Sequence, residues 1–364
     1  MREDDGLPAA GAGVRAVVVI RDGMEHDFDV GGLARVRLMG AGPDDTNRVS
    51  RQLGLDPTEP AGEADLTIRF EARLDVPAPL RIIGDHDAGF ADGAFIVLGR
   101  GSARAIVPFD GLGQAGTIVA RRGAGVPHLV PILNLTMLGK GILPLHASAF
   151  TYRGRGIVAP AWSKGGKTEV LLAFMAAGAS LIADEWTYVT PDGRLSGFRG
   201  PMRLLAWHLR QLPELRRRLG MRRRLTLTAV DRILGGGHID APPAELFGPQ
   251  RCSHSGQLDE VLLLVRSSAP GISVTPIAGR AVAERILFAH LHHRLDLIGR
   301  YWQFRYAFPD RHSAVLDDLA GRERALLDPL LADRPSWLVE HPGRVDLRRL
   351  VDEISAARAE AAVE

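Results

Sequence analysis

Short apolar runs separated by glycine, proline and aspartate fill the first third of the chain. In residues 66–70 apolar and polar side chains alternate with the period of two that is typical of a half-buried strand. Other short runs predict further strands at 17–20, 80–83, 95–98, 105–107 and 117–120. Residues 44–64 are polar and irregular, and we expect a loop with one helical turn there. These patterns predict a loose tail at 1–13 and a β-rich accessory domain over 14–125, which would present or recognise a substrate.

The remainder of the chain, from residue 126, shows the patterns of an α/β domain. Apolar positions at helical spacing predict helices at 126–140, 207–219, 280–298, from 313 onward, and 347–361. Compact apolar runs predict strands at 157–159, 181–183, 261–265, 272–277 and 337–339. We therefore expect a second domain over residues 126–364.

One stretch, residues 156–185, carries most of the candidate chemistry. Its first apolar run is followed by a glycine-bearing loop, Ala161-Trp162-Ser163-Lys164-Gly165-Gly166-Lys167-Thr168, and then by a helical pattern that Gly178 ends. The second apolar run ends on two carboxylates, Asp184 and Glu185. Strand, glycine loop, helix, strand and acid in this order are typical of a βαβ unit that binds a nucleotide.

The loop has the residue types that a Walker A phosphate site requires. Backbone N–H groups and the helix N-terminus hold phosphates, a lysine reaches the β- and γ-phosphates, and a hydroxyl ligates magnesium. Lys167 and Thr168 fill the last two roles, whereas Ala161 replaces the usual first glycine and tolerates a positive φ poorly. The predicted nucleotide-binding residues are Ala161, Trp162, Ser163, Lys164, Gly165, Gly166, Lys167, Thr168 and Glu169. The alternative is a surface turn that opens an ordinary helix.

The two acids are expected at the C-terminal end of a parallel strand, where open α/β sheets bind ligands. One carboxylate would help to hold Mg²⁺ and the other would accept a proton from an attacking hydroxyl, and the residues alone leave the assignment open. Thr168, Asp184 and Glu185 are the predicted metal ligands. The alternative for the acids is a solvated strand end. His146 precedes the loop strand and is either a structural residue or a group that contacts phosphate or transfers a proton.

Together these residues resemble a known family. The motif His146-Ala147-Ser148-Ala149, the glycine loop followed by Glu169, and the acid pair are similar to the catalytic domain of HPr kinase/phosphorylase over roughly residues 141–190. The resemblance implies a P-loop α/β fold, ATP and Mg²⁺ as cofactors, and His146, Lys167, Asp184 and Glu185 as catalytic residues. In that family the second acid is typically aspartate, and the segment 197–200 here lacks the family's expected metal-binding glutamate.

Composition narrows the classes of function. A net charge of +2 gives no general argument for nucleic-acid or anionic-membrane binding. Six arginines at 216–218 and 222–224 have no interleaved aromatic residues, so we interpret them as a solvated helix end, a lid over phosphates or a patch for an acidic segment. The histidines at 290, 292 and 293 do not complete a zinc pattern and are expected at the surface or in a supporting layer. One cysteine, the lack of an apolar N-terminal segment and the lack of an 18-residue apolar run lead us to expect a cytoplasmic protein.

The sequence therefore predicts a Mg-ATP-dependent kinase that phosphorylates a hydroxyl, in the first instance a serine of a peptide or small protein. Two alternatives stay open, which are a kinase of a small metabolite such as an amino acid or sugar, and a nucleotide-binding regulatory module without catalysis. The expected partner is the hydroxyl acceptor, with no membrane and no nucleic acid. Relatives of HPr kinase often form hexamers, so the resemblance also leaves a homo-oligomer open.

Overall fold

The chain is described here from a computed structural model, which covers residues 25–84, 86–99, 102–198, 200–234, 237–253 and 255–361. These residues form a mixed α/β protein with a seven-stranded, a six-stranded, a four-stranded and a two-stranded sheet. The strand predicted at 17–20 lies outside the described residues. No helix in the described ranges has the length and apolar character that crossing a membrane requires.

The N-terminal part is built on the seven-stranded sheet. Its elements are β1 (His26–Val30), β2 (Ala34–Met39), α1 (Pro43–Leu53), β3 (Leu66–Glu71), β4 (Ala88–Ala91), β5 (Ala94–Gly99), β6 (Ser102–Pro108), β7 (Gly116–Arg121) and α2 (Leu129–Gly139). The strands lie in the order β1-β2-β3-β7-β6-β5-β4. The predictions at 66–70, 95–98, 105–107 and 117–120, and the helix within 126–140, are confirmed.

Two predictions in this part are wrong. Residues 80–83 form no strand, and Arg81 only exchanges backbone hydrogen bonds with Phe90, because Pro79 lacks the N–H that a longer ladder needs. The segment 44–64 contains the three-turn helix α1 instead of a single turn. The sequence of α1 is mostly polar and buries few apolar side chains, among them Val49 and Leu53, so its helical periodicity is weak.

The elements that follow begin with β8 (Leu143–Leu145), β9 (Ala147–Tyr152), β10 (Arg155–Pro160), α3 (Lys167–Ala176), β11 (Ser180–Ala183), β12 (Thr187–Val189), β13 (Arg194–Gly197) and β14 (Met202–Leu205). They continue with α4 (Ala206–Gln211), α5 (Pro213–Arg218), α6 (Met221–Leu234), β15 (His238–Ala241), α7 (Pro243–Phe247), β16 (Gly256–Gln257), β17 (Glu260–Arg266) and β18 (Ser273–Pro276). The last elements are α8 (Gly279–Ala307), α9 (Ala314–Asp317), α10 (Leu319–Leu331), β19 (Ser336–His341) and α11 (Leu347–Ala361).

The six-stranded sheet has the order β11-β9-β10-β17-β19-β18 and carries the glycine loop. Strands β10, β17 and β19 are parallel neighbours, whereas β9 lies antiparallel between β10 and β11. The expectation that the acid-bearing strand has a parallel partner is therefore wrong, because β11 pairs antiparallel with β9. Since β10 and β11 still run in the same direction, their C-terminal ends and the N-terminal end of β9 meet at one edge.

Helices cover both faces of this sheet. Alternate side chains of β10 divide between two cores, so that Ile157 packs with α3 and α11, and Val158 packs with α8 and α10. Helix α8 is long and extends beyond the sheet. Val282 and Ile286, near its start, belong to the core on the α8 face, whereas Tyr301 and Phe304, near its end, belong to the core of the N-terminal sheet.

The predicted helix at 207–219 is two helices, α4 and α5, because Pro213 cannot continue the hydrogen bonding of the first. The arginines of the cluster divide between the end of α5 and the start of α6. Most of their side chains are exposed, and Arg223 forms an ion pair of 2.6 Å with Glu245. This exposure favours a solvated face for the cluster.

Candidate functional site

The glycine loop connects β10 to α3. Ala161 continues the strand direction through one parallel bridge to Leu264 and does not adopt a left-handed φ. The left-handed positions are Lys164, at φ 60°, and Gly166, at φ 105°. A Cβ at Gly165 would lie 2.7 Å from the carbonyl oxygen of Trp162, so glycine is required there. Alanine in place of the usual first glycine is therefore compatible with the loop.

Lys167 begins α3, and its side chain points into the protein. The side chain is 7 % exposed, and Nζ lies 3.0 Å from Nε2 of His146. Burial lowers the pKa of Lys167, while Glu185 and Asp184 act in the opposite direction. The lysine thus brings a positive charge into the space between the glycine loop and the acid pair.

The acids have different surroundings. Asp184 is buried and accepts a 2.6 Å hydrogen bond on Oδ1 from the hydroxyl of Ser148. Burial and the neighbouring charge of Glu185 raise the pKa of Asp184 to about 6. Glu185 is exposed, has a left-handed φ of 68°, and places Oε2 3.1 Å from Nε2 of His146. The hydrogen bond with His146 and the charge of Lys167 lower the pKa of Glu185 to about 2.

His146 joins these groups. It lies between β8 and β9, at the sheet edge where β10 and β11 end. Its Nε2 is close to both Lys167 and Glu185, but a neutral ring nitrogen either accepts or donates a hydrogen bond. The two contacts therefore compete. Burial and Lys167 lower the pKa of His146 more than Glu185 raises it, which favours the neutral ring.

A buried polar cluster between α8 and α10 supports His146 from behind. The backbone N–H of His146 donates to Nε2 of His290 at 3.3 Å, and Nδ1 of His290 lies 2.8 Å from Oε1 of Glu323. Arg294 pairs with the same carboxylate. Burial opposes ionisation of Glu323, but the charge of Arg294 and the hydrogen bonds from His290 and Arg294 outweigh it and lower its pKa to about 2.

Sequence reasoning identified His290 only as a surface or supporting residue and did not identify Arg294 or Glu323. The i, i+4 spacing of His290 and Arg294 on one helix face was a usable signal for a shared partner. Glu323 lies on another helix, and no local pattern connects it to this pair.

The remaining residues of the predicted nucleotide site have mixed surroundings. Glu169 is buried and pairs with Arg266 at 2.9 Å, and Nε2 of His208 lies 3.7 Å from the same carboxylate oxygen. Burial raises the pKa of Glu169. His208 and Arg266 lower it by a larger amount, so the net shift of the pKa is downward. Trp162 is half exposed and its ring stacks on His292 with 4.7 Å between centroids. Ser163 and Thr168 are half-buried and Lys164 is exposed.

The donor set fits magnesium. Mg²⁺ usually takes one or two carboxylates together with substrate phosphates and keeps several waters. Asp184 and Glu185 supply two carboxylates, and Thr168 supplies a hydroxyl in the first turn of α3. Within the described ranges, no cluster of three or more His, Cys, Asp or Glu side chains is arranged to hold a metal ion. The residues thus suit a metal that arrives with a nucleotide better than a metal held by protein ligands alone.

Comparison with known proteins adds little to this geometry. No protein-family profile matches the sequence, and no curated protein matches it significantly. Among solved structures, the chain is similar to the HPr(Ser) kinase/phosphatase from Coxiella burnetii, with 12 % sequence identity and a TM-score of 0.28. The alignment covers 61 % of this chain and 99 % of that chain. A TM-score this low does not establish a shared fold.

Proposed function

We propose that this chain is a Mg-ATP-dependent kinase that transfers the γ-phosphate to a hydroxyl. One observation supports the proposal most strongly. Lys167, Asp184 and Glu185 lie close together around His146, next to the glycine loop. A buried lysine beside two acids, next to backbone N–H groups at a helix N-terminus, is the set of groups that phosphoryl transfer uses.

Each residue has a role in this proposal. The N–H groups of the loop and the ammonium group of Lys167 hold the nucleotide phosphates. Thr168 and Glu185 hold Mg²⁺, which neutralises charge on the phosphate oxygens when it is bound. Glu185 suits this role because its carboxylate is exposed and its pKa is low, so it is ionised at neutral pH. His146 orients Glu185 through Nε2.

Asp184 is the proposed general base. The acceptor oxygen attacks the γ-phosphorus, a new O–P bond forms, and the bond to the leaving ADP oxygen breaks. The acceptor proton passes to Oδ2 of Asp184, since Oδ1 accepts the hydrogen bond from Ser148. A pKa of about 6 suits this task, because a base with a pKa near the operating pH is largely ionised and still accepts a proton well.

The acceptor in this proposal is a serine hydroxyl of a peptide or small protein in the cytoplasm. A small metabolite such as an amino acid or a sugar is the alternative acceptor. The alternative outside enzymes is a regulatory module that binds nucleotide without catalysis. Such a module would bind nucleotide but transfer phosphate to no acceptor.

The test is calorimetric titration of Mg-ATP into the native chain, Lys167→Ala and Lys164→Ala. Lys164 is a matched control, because alanine keeps its backbone N–H in the loop and removes only an exposed side chain. We expect Lys167→Ala to weaken binding by about 100-fold or more, since a charge-assisted contact to phosphate is worth about 1.5–3 kcal/mol and more in a buried site. Lys164→Ala should bind like the native chain. Equal binding by all three proteins, or no binding by a folded native chain, contradicts the proposal.

A further inference from the structure

A cavity of about 410 Å³ opens directly against the acid pair. Asp184, Glu185 and Trp186 line one side of it, and Arg51, Gln52 and Pro131, from the end of α1 and the start of α2, line the other. The cavity therefore lies between the N-terminal sheet region and the proposed catalytic groups. A volume of this size is within the range of about 300–1,000 Å³ that small-ligand sites occupy.

The charges on the two walls are opposite. Asp184 and Glu185 are the acids on the catalytic side, whereas Arg51 brings a guanidinium group to the other side. Nε of Arg51 donates to the backbone oxygen of Asn47 at 3.2 Å, and no carboxylate of the described residues lies within ion-pair distance of Arg51. The positive charge is thus available to a ligand at some distance from the acids.

A third polar group lines the cavity. Nε2 of His293 is buried and has no hydrogen-bond partner among the described residues. Burial and the neighbouring His146 lower the pKa of His293 to about 3, so the ring is neutral and can accept or donate a hydrogen bond. A buried polar atom without a partner is destabilising, and a turn of the ring toward the cavity would let a ligand hydroxyl supply the partner.

We infer that the cavity is the acceptor site, and that the acceptor carries an anionic group in addition to its hydroxyl. The hydroxyl lies against Asp184 and His293, and the anionic group pairs with Arg51. The inference rests on the proposed kinase function. The shared chemistry of a hydroxyl beside an anion occurs in a serine peptide with an acidic residue and in a free hydroxy acid, so both are included in the test.

The test measures phosphate transfer from Mg-ATP to a panel of acceptors. The panel consists of tripeptides with acetylated and amidated ends, in which serine is flanked by aspartate, asparagine or lysine, together with free serine and glycerate. Product mass and ADP release are recorded for the native chain, Arg51→Glu and Arg48→Glu. Arg48 is the matched control, because it is an exposed arginine of the same helix that does not line the cavity.

The native chain is expected to prefer the aspartate peptide or glycerate over the asparagine and lysine peptides. Arg51→Glu should raise the KM for the acidic acceptor about tenfold or more, because it replaces a charge-assisted contact with repulsion. The same variant should gain activity toward the lysine peptide, and a merely structural role of Arg51 would not produce this reversal. Arg48→Glu should keep the native preference.

The outcomes separate this inference from the kinase proposal. Transfer to the three peptides at equal rates, with the same KM values in Arg51→Glu, overturns the anionic acceptor and leaves the kinase in place. A chain that binds Mg-ATP but phosphorylates none of the panel also overturns the inference. If the native chain does not bind Mg-ATP, the kinase proposal and the inference fail together.

Discussion

The ammonium nitrogen of Lys167 lies 3.0 Å from Nε2 of His146, and the same ring nitrogen lies 3.1 Å from Oε2 of Glu185. Nε2 can either accept a hydrogen bond from the lysine or donate one to the carboxylate. Only one of the two hydrogen bonds can therefore form at a time. Phosphates in the glycine loop would attract Lys167 and leave Nε2–H to Glu185. In the proposed kinase, nucleotide binding would thus be coupled to the orientation of Glu185.

The pKa of His146 should rise when nucleotide binds. In the free protein, burial and the charge of Lys167 lower this pKa, and phosphates would neutralise the lysine charge while Glu185 continues to stabilise the imidazolium. NMR titration of the imidazole C–H signals, with and without a non-hydrolysable Mg-ATP analogue, measures the change. The spectrum of His146→Gln identifies the signal. An unchanged or lowered pKa in the complex would show that Lys167 does not leave the histidine.

The rate of phosphate transfer should depend on pH through Asp184. The base must be ionised, so kcat/KM is expected to fall about tenfold per pH unit below about pH 6, as the carboxylate becomes protonated. Ser148→Ala removes a hydrogen bond that lowers the pKa of Asp184, so the acid limb should move to higher pH. Ser336→Ala is the control, because this buried serine lies in β19 and donates its hydrogen bond to the backbone oxygen of Arg334 and not to Asp184. Superimposable pH profiles for Ser148→Ala and the native chain would exclude Asp184 as the titrating base.

Gly166→Ala should disrupt the loop more than backbone strain alone explains. Gly166 has a φ of 105°, and a Cβ there would lie 2.3 Å from Nε2 of His341. Gly178 has a φ of 106° and no atom within 4 Å of the same position, so Gly178→Ala carries the strain without the contact. Both variants should lose about 1–2 kcal/mol from the left-handed backbone, and Gly166→Ala should lose more and bind Mg-ATP more weakly. Thermal unfolding and calorimetry measure the two effects, and equal losses would argue against the clash with His341.

The buried cluster of α8 and α10 should contribute strongly to stability. Glu323→Gln leaves the charge of Arg294 buried without its partner, and we expect a loss of about 3–5 kcal/mol in the free energy of unfolding. Glu284→Gln, which breaks an exposed pair with Arg280 on the same helix, should change it by no more than about 0.5 kcal/mol. Urea unfolding at neutral pH gives both values, and similar losses would contradict the prediction.

The lowered pKa of Glu323 also predicts how the free energy of unfolding changes with pH. The pKa of Glu323 is lower in the folded chain than in the unfolded one, so its contribution is complete above the unfolded pKa and is lost as the pH falls toward about 2. Glu323→Gln should therefore show a smaller loss of stability than the native chain between about pH 4.5 and the lowest accessible pH. Urea unfolding at a series of acidic pH values measures the difference. Parallel pH dependences would mean that Glu323 is not ionised in the folded protein.

The sequence predicted the order of elements around the glycine loop, whereas the arrangement of distant elements did not follow from it. The strand, loop and helix and the position of the acids at 184–185 follow from short patterns, because they lie within one continuous segment. The position of β9 between β10 and β11 depends on pairing between strands, which alternation of side chains does not specify. The contact of His290 with Glu323, and the place of Arg51 opposite the acids, depend on helix packing across the chain. Propensity also failed at α1, where Pro43 and the following acids mark a helix start that a mostly polar sequence obscured.

Helix α8 belongs to two cores, and this makes it a mechanical link between the halves of the molecule. Its 29 residues span about 43 Å, and Val282, in the core beside the six-stranded sheet, lies about 33 Å along the axis from Phe304, in the core of the N-terminal sheet. A stiff helix anchored at both ends resists rotation of one sheet against the other, so the width of the cavity between Arg51 and the acid pair is held by a helix that contributes only His293 to its lining. Cutting the chain near residue 125 would therefore separate Tyr301 and Phe304 from the N-terminal sheet whose core they share.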